Sequence, residues 1–373
     1  MSAGSAAAVP GTNSAAHFVL VPMMAAGHTG PMLDMARTLS GRGALVTFVT
    51  TPLNLPRLGR APSDGALPIR FLPLRFPCAE AGLPEGCESL DALPGLGLLR
   101  NFNDACAMLR GPLVALLRDR EGDAPPASCV VSDACHPWTG GVARELGVPR
   151  FSFDGFCAFS SLCMRQMNLH RIFEGVDDDT RPATKRPFIW VVKPSNLAEF
   201  ERWLSEDGFE SRVGETGLVI RDWAPQKAIL SHPATGAFVT HCGWNSVLEC
   251  VAAGLPMVSC PHFAEQFMNE KLVVDVLRVG VPVGVKGAAQ WGVEAEGVLA
   301  TRQDVERAVA AVMDCGEEGS ARRARAAELG RKAREAVVHG GSSFRNVALL
   351  IQHVQHRAST RNPWIEKKPN DRR

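Results

Sequence analysis

The stretch from Trp223 to Gln266 constrains this chain more than any other, because within 44 residues it passes from a short apolar strand through a glycine turn into a helix. Gly236-Ala237-Phe238-Val239-Thr240 has the length and composition of a buried strand, and Gly243 supplies the turn before a helix expected over Trp244–Ala253. Where such a strand hands over to a helix, free backbone N–H groups and the positive end of the helix dipole converge, which suits a phosphate. His241, Asn245 and Ser246 add side-chain donors at that junction, and Glu249, one helical turn past Asn245, brings an acceptor to the same face. Singly, Asn245 or Ser246 is an ordinary helix cap and Trp223 or Trp244 a packing aromatic. Their joint spacing is what points to a phosphorylated ligand.

The start of the chain repeats this grammar. His17 to Pro22 reads as an apolar strand, followed by Met-Met-Ala-Ala-Gly-His-Thr-Gly-Pro and a helix expected from about Met32 to Ser40. His28 then falls at the carboxyl end of a strand, where open α/β sheets place their ligands. An imidazole there is suited to proton abstraction near neutral pH, provided that a partner orients it and stabilises its charged form. The candidate partner is Asp133, at the end of the strand Ser128-Cys129-Val130-Val131-Ser132 and ahead of a helix expected over Pro137–Leu146. His136 reads as a structural histidine or a wall of a ligand pocket.

Further strands are expected near 45–50, 69–74 and 150–153, then near 188–192, 217–221, 256–259 and 280–284, with closing helices near 302–314, 319–338 and 343–356. Strands alternating with helices predict an α/β chain of two Rossmann-like halves with mostly parallel sheets. The Pro/Gly-rich run Ala79–Gly97 reads as loop, and Gly340-Gly341-Ser342-Ser343 as a turn opening the last helix rather than a phosphate loop, since no strand precedes it and no Lys follows. At 373 residues and 46% apolar content the chain can fill two cores. The balance of 40 basic against 39 acidic residues leaves no electrostatic footprint for nucleic acid. The 11 cysteines form no C-x-x-C pair and read as free thiols of a reducing compartment, and neither a signal peptide nor a membrane span is visible, so a cytoplasmic location is expected. A nicotinamide-dependent oxidoreductase is disfavoured, because Gly27 and Gly30 do not fit Gly-x-Gly-x-x-Gly after the first strand.

The segment Trp223–Gln266 resembles the donor-binding signature box of plant family 1 UDP-glycosyltransferases. The resemblance implies a GT-B-like pair of facing lobes, with an acceptor-binding lobe over 1–176, a short junction at 177–186 and a UDP-sugar-binding lobe over 187–356; the polar tail at 357–373 goes beyond where the resemblance stops. It implies that Trp223 stacks on the uracil with Gln226 beside it, that His241, Asn245 and Ser246 hold the diphosphate, that Glu249 takes the ribose hydroxyls, and that Trp244, Glu265 and Gln266 meet the sugar. In the family a Gln at the position of Gln266 goes with glucose more often than galactose, so Gln266 favours UDP-glucose as the donor, with no metal and no further cofactor. His28 corresponds to the general base and Asp133 to its partner, and the acceptor is expected to be a small lipophilic plant metabolite bound by the variable loops Phe76–Phe102 and Phe153–Phe173. Asp177-Asp178-Asp179 contains the Asp-x-Asp pattern of metal-dependent transferases, but three acids beside Thr and Pro read as a solvated loop.

The resemblance breaks at Glu174–Arg186, which jumps directly from one half to the other. Family members carry there the last strands of the first lobe, the linker and the first, central strand of the second lobe. The chain therefore reads as a glycosyltransferase shortened internally, and strands 188–192 and 236–240 are expected to lack their shared neighbour.

Overall fold

The computed structural model describes residues 15–58, 69–119, 125–155, 186–192, 201–202, 204–205, 208–221, 223–287 and 300–360. Contacts divide the chain into two compact units, Met1–Gly155 with His339–Arg373, and Phe156–Val338.

The first unit is built on β1 (His17–Val21), α1 (Ala26–Ser40), β2 (Leu45–Thr50), β3 (Ile69–Pro73), α2 (Leu99–Met108), α3 (Arg110–Asp119), β4 (Cys129–Asp133), α4 (Thr139–Leu146) and β5 (Arg150–Phe153). Its five strands are all parallel, in the order β3-β2-β1-β4-β5. This is the winding in which the strand order reverses beside β1, so the carboxyl ends of β1 and β4 flank the crevice where such sheets bind ligands. Side chains alternate between the two faces as the strand period demands. Phe18 and Leu20 of β1 pack with Val46, Phe48, Cys129 and Val131 under α1, whereas Val19 and Val21 join Val49, Val130, Leu113 and Phe102 on the opposite face.

Helix α1 begins at Ala26, earlier than the expected Met32, and includes Pro31. Pro31 is the sixth residue of the helix, past the first amides that lack an intrahelical partner, so its missing N–H leaves out one bond of the second turn. The early start is secured from a distance: the Asp91 carboxylate accepts from the Ala26 N–H at 2.8 Å. The run read as loop over Ala79–Gly97 is correspondingly well anchored. Leu83 and Cys87 are buried in the core, Leu90 N–H donates to the Met24 carbonyl at 2.7 Å, and the Glu88 carboxylate accepts from Leu53 N–H at 2.9 Å.

The second unit contains β6 (Phe188–Val192), α5 (Phe209–Val213), β7 (Gly217–Arg221), α6 (Gln226–Ser231), β8 (Phe238–Thr240), α7 (Trp244–Ala253), β9 (Met257–Ser259), α8 (Gln266–Lys271), β10 (Gly280–Pro282), α9 (Arg302–Val312) and α10 (Glu317–Val337). A π-helical turn, Leu272–Val276, extends α8. Its strands form two separate parallel sheets among the described residues, β6-β7 and β10-β9-β8. Among the described residues no strand joins 188–192 to 236–240, and the side chains of Ile189, Val191, Leu218 and Val239 are between 42% and 55% exposed. The three-stranded sheet has a core on each face, Met257 packing with Val247, Cys250, Val273 and Ala326, and Val258 with Val281, Ala308 and Val312.

The last helix, α11 (Ser342–Thr360), follows a turn in which Gly340 takes a φ of 80°. The expected second lobe ran through this helix to residue 356, yet Ile351 and Val354 pack into the first unit's core beside Phe18 and Leu20, so the helix belongs with the first sheet. Arg42 reinforces that docking by stacking over the Phe344 ring at 4.0 Å and donating to the Phe344 carbonyl. The acidic run Asp177–Asp179, most of the loop Phe153–Phe173, and the tail beyond residue 360 lie outside the described residues.

Candidate active site

The first group of polar side chains gathers at the carboxyl ends of β1 and β4. His28 occupies the first turn of α1 rather than a loop, and its Nδ1 lies 2.8 Å from Asp133 Oδ2. The carboxylate is almost wholly buried, while the imidazole keeps about a fifth of its surface exposed. Burial on its own raises the Asp133 pKa, but the hydrogen bond from His28, the Cys135 N–H donated to Oδ1 at 2.9 Å and the charge of His28 together outweigh it and hold the carboxyl below its usual value. A carboxylate that stays ionised and accepts from Nδ1 leaves Nε2 as the basic nitrogen of the imidazole, the arrangement that proton abstraction requires. Beside it, burial and the Asp133 charge push the Cys135 thiol up to about 11, so it is not a nucleophile at neutral pH.

The backbone around Asp133 is braced by residues that the sequence did not single out. Arg150, the first residue of β5, donates Nε to Ser132 Oγ at 2.9 Å and Thr139 Oγ1 at 2.8 Å, and its Nη2 reaches the carbonyls of Asp133 and His136. A Ser, a Thr and an Arg at strand and helix ends carry no joint signal in the sequence, since β5 must pair with β4 before they meet. His136 is structural: it is buried, its Nε2 lies 3.1 Å from the Pro22 carbonyl, and burial lowers its pKa.

The second group lies in the other unit, around the handover from β8 to α7. Helix α7 spans Trp244–Ala253 as expected, with Gly243 as its N-cap and no side-chain cap. A Cβ on Gly243 would clash with the His241 imidazole, so glycine is required for the ring to lie across the helix start. Cys242, between them, has a φ of 64° although it carries a side chain, a conformation that costs roughly 1–3 kcal/mol and persists where the surroundings impose it. Asn245 and Ser246 stand in the first turn of α7, four and five residues past His241. Gln226 Nε2 donates to Glu249 Oε2 at 2.9 Å, which brings together two residues expected at one nucleoside, and Lys227 Nζ lies 4.0 Å from the same carboxylate. Trp223 is 79% exposed, an indole face open to stacking. Trp244 packs against the core beside Cys242 and Val247.

Glu265 and Gln266 are both buried at the start of α8. Gln266 Oε1 accepts from the N–H groups of His262 and Phe263 at 2.8 and 3.2 Å, which shapes the loop after β9. Asn269, fully buried one turn later, donates to the Cys242 carbonyl at 2.7 Å and approaches Glu265 Oε1 at 3.5 Å. The sequence hint for Asn269 was its helical spacing from Glu265. Among the described residues no cluster of three His, Cys, Asp or Glu side chains is placed to hold a metal. No described helix is long and apolar enough to cross a membrane, and the nine described cysteines are free thiols.

Comparison with known proteins shows what the chain as a whole is similar to. The model of the UDP-glucoronosyl and UDP-glucosyl transferase family matches residues 202–315. UDP-glycosyltransferase 73E1 of Stevia rebaudiana is 33% identical over 481 residues, covering 91% of this chain and 96% of that protein, and UDP-glycosyltransferase 73C6 of Arabidopsis thaliana is 32% identical, covering 93% and 98%. An alignment of 481 residues exceeds the 373 of this chain, so these relatives carry stretches with no counterpart here. In fold, the chain is similar to UGT73P12 of Glycyrrhiza uralensis, with a TM-score of 0.77, 24% identity and coverage of 93% and 97%. It is also similar to UGT89C1 of Arabidopsis thaliana complexed with quercetin, with a TM-score of 0.69, 26% identity and coverage of 92% and 100%, and the same enzyme has been solved with UDP. Relatives 33% and 32% identical that cover more than nine-tenths of the chain, together with the shared α/β fold of parallel sheets, show that the chain belongs to the plant family of UDP-glycosyltransferases.

Proposed function

We propose that this chain is an inverting glucosyltransferase that moves glucose from UDP-glucose to a hydroxyl of a small lipophilic plant metabolite, such as a flavonoid or terpenoid, in the cytoplasm. The observation that carries the proposal is the 2.8 Å contact between His28 Nδ1 and the buried Asp133 carboxylate. In this reading the first unit binds the acceptor and the second the donor. His28 Nε2 removes the acceptor's proton, Asp133 stabilises the imidazolium, and the alkoxide-like oxygen attacks the sugar carbon as the bond to the UDP oxygen breaks. Charge growing on the departing diphosphate is met by His241, Asn245, Ser246 and the first amides of α7, with no metal or further cofactor required. Glu249 accepts from the ribose hydroxyls, Trp223 stacks on the uracil beside Gln226, and Trp244, Glu265 and Gln266 border the glucose. That UGT89C1 has been solved with UDP and, separately, with quercetin supports a nucleotide and a phenolic compound as ligands of this fold.

The test is UDP release from UDP-glucose with a panel of flavonoid and terpenoid acceptors. His28→Ala is expected to lower turnover by about a hundredfold or more while UDP affinity stays unchanged. Undiminished transfer by that variant would remove His28 from the mechanism. The break between β6 and β8 favours one second reading, a shortened chain that binds UDP-sugars without transferring them. Saturable UDP binding with no UDP release on any acceptor would establish it.

A further inference from the structure

We infer that Asn269 is a positioning residue for the donor, holding the turn before α7 in its ligand-ready shape and tying the diphosphate end of the site to the sugar end; this rests on the UDP-sugar reading of that site. Cys242 is fully buried with a φ of 64°, in the left-handed region that glycine occupies freely and other residues avoid. Two side chains impose that conformation. Thr240 Oγ1 accepts from the Cys242 N–H at 3.1 Å, and Asn269 Nδ2 donates to the Cys242 carbonyl at 2.7 Å.

The second contact fixes more than one atom. The carbonyl of Cys242 and the N–H of Gly243 belong to one planar trans peptide and point in opposite directions. Holding the carbonyl against α8 therefore sets the entry of the chain into α7 and the place of the His241 ring across Gly243. The same Asn269 amide group lies 3.5 Å from Glu265 Oε1, so the clamp on the turn and the placement of Glu265 share one side chain. Asn269 lies on α8 behind the turn, and its effect on a ligand passes through Cys242 and Glu265.

The experiment is calorimetric titration of the full chain in the cold with UDP and with UDP-glucose. Asn269→Asp keeps the side-chain shape but cannot donate to the carbonyl, and Asn269→Ala removes the group. Both are expected to weaken UDP binding about tenfold and UDP-glucose binding further. Cys242→Gly relieves the backbone strain, so adding Asn269→Ala to it should cost UDP affinity no more than about twofold. Val312→Ala, on the other core face of the same sheet, serves as a destabilised comparator whose UDP affinity should stay at the unsubstituted level. Binding unchanged in Asn269→Asp, or a loss that Cys242→Gly fails to rescue, overturns the inference while leaving the UDP-sugar reading intact. No UDP binding by the unsubstituted chain overturns both.

Discussion

The uncovered face of the two-stranded sheet makes a quantitative prediction. Ile189 projects from β6 with 48% of its surface exposed, and its register partner on β7, Leu218, is 55% exposed. Parallel sheets ordinarily have both faces covered, and truncating a large aliphatic side chain to Ala in such a core costs about 2–5 kcal/mol. Full burial of such a side chain is worth roughly 1.5–3 kcal/mol, and about half of that is absent at Ile189, with little cavity to add. Ile189→Ala should therefore cost about 1.5 kcal/mol or less. Met257→Ala, in the same unit but at a residue with no exposed surface, should cost about 2–5 kcal/mol. Urea unfolding followed by fluorescence gives both values, and hydrogen exchange should show the amides of β6 and β8 that face away from β7 and β9 exchanging far faster than those of β1, which is paired on both sides. Equal losses from the two substitutions, with uniformly protected β6 amides, would mean that something covers this face in solution and would refute the reasoning.

Asp133 gives a pH signature. Its folded pKa is depressed, so the stability it contributes is fully present above the unfolded value of about 3.9 and is lost as pH falls through the lower folded value. Asp133→Asn should accordingly flatten the acid limb of the stability curve below about pH 4, as read from thermal melts at successive pH values, and an unaltered limb would place the pairing elsewhere. On the proposed reading Glu249→Ala should weaken UDP binding by about 1–3 kcal/mol, because the ribose hydroxyls and Gln226 Nε2 would both lose their acceptor, and an unchanged dissociation constant by titration would remove Glu249 from the nucleotide site. Gln266→His should alter the preference between UDP-glucose and UDP-galactose in competition assays, since one imidazole nitrogen cannot accept from both His262 and Phe263; an unchanged ratio would separate Gln266 from sugar choice.

What the sequence by itself determined was everything carried by local pattern. Runs such as Phe18–Val21 and Val46–Val49 announce strands because side chains alternate faces, Gly243 announces a helix start, and all ten described strands fall within a few residues of where composition put them. A break in the second unit was also expected, because removing a central strand from a parallel sheet leaves two edges, and among the described residues β6 and β8 share no sheet. Tertiary structure alone decided the rest. The start of α1 at Ala26 depends on Asp91, far along the chain, and a helix cap supplied from another loop leaves no mark at the helix it caps. The last helix joined the first unit because Ile351 and Val354 found an apolar face beside Leu20, a choice between two cores that its own amphipathic pattern does not specify. Arg150 and Asn269 became part of the site for the same reason: hydrogen bonds are short-ranged and directional, so their partners exist only once β5 pairs with β4 and α8 packs behind the Cys242 turn.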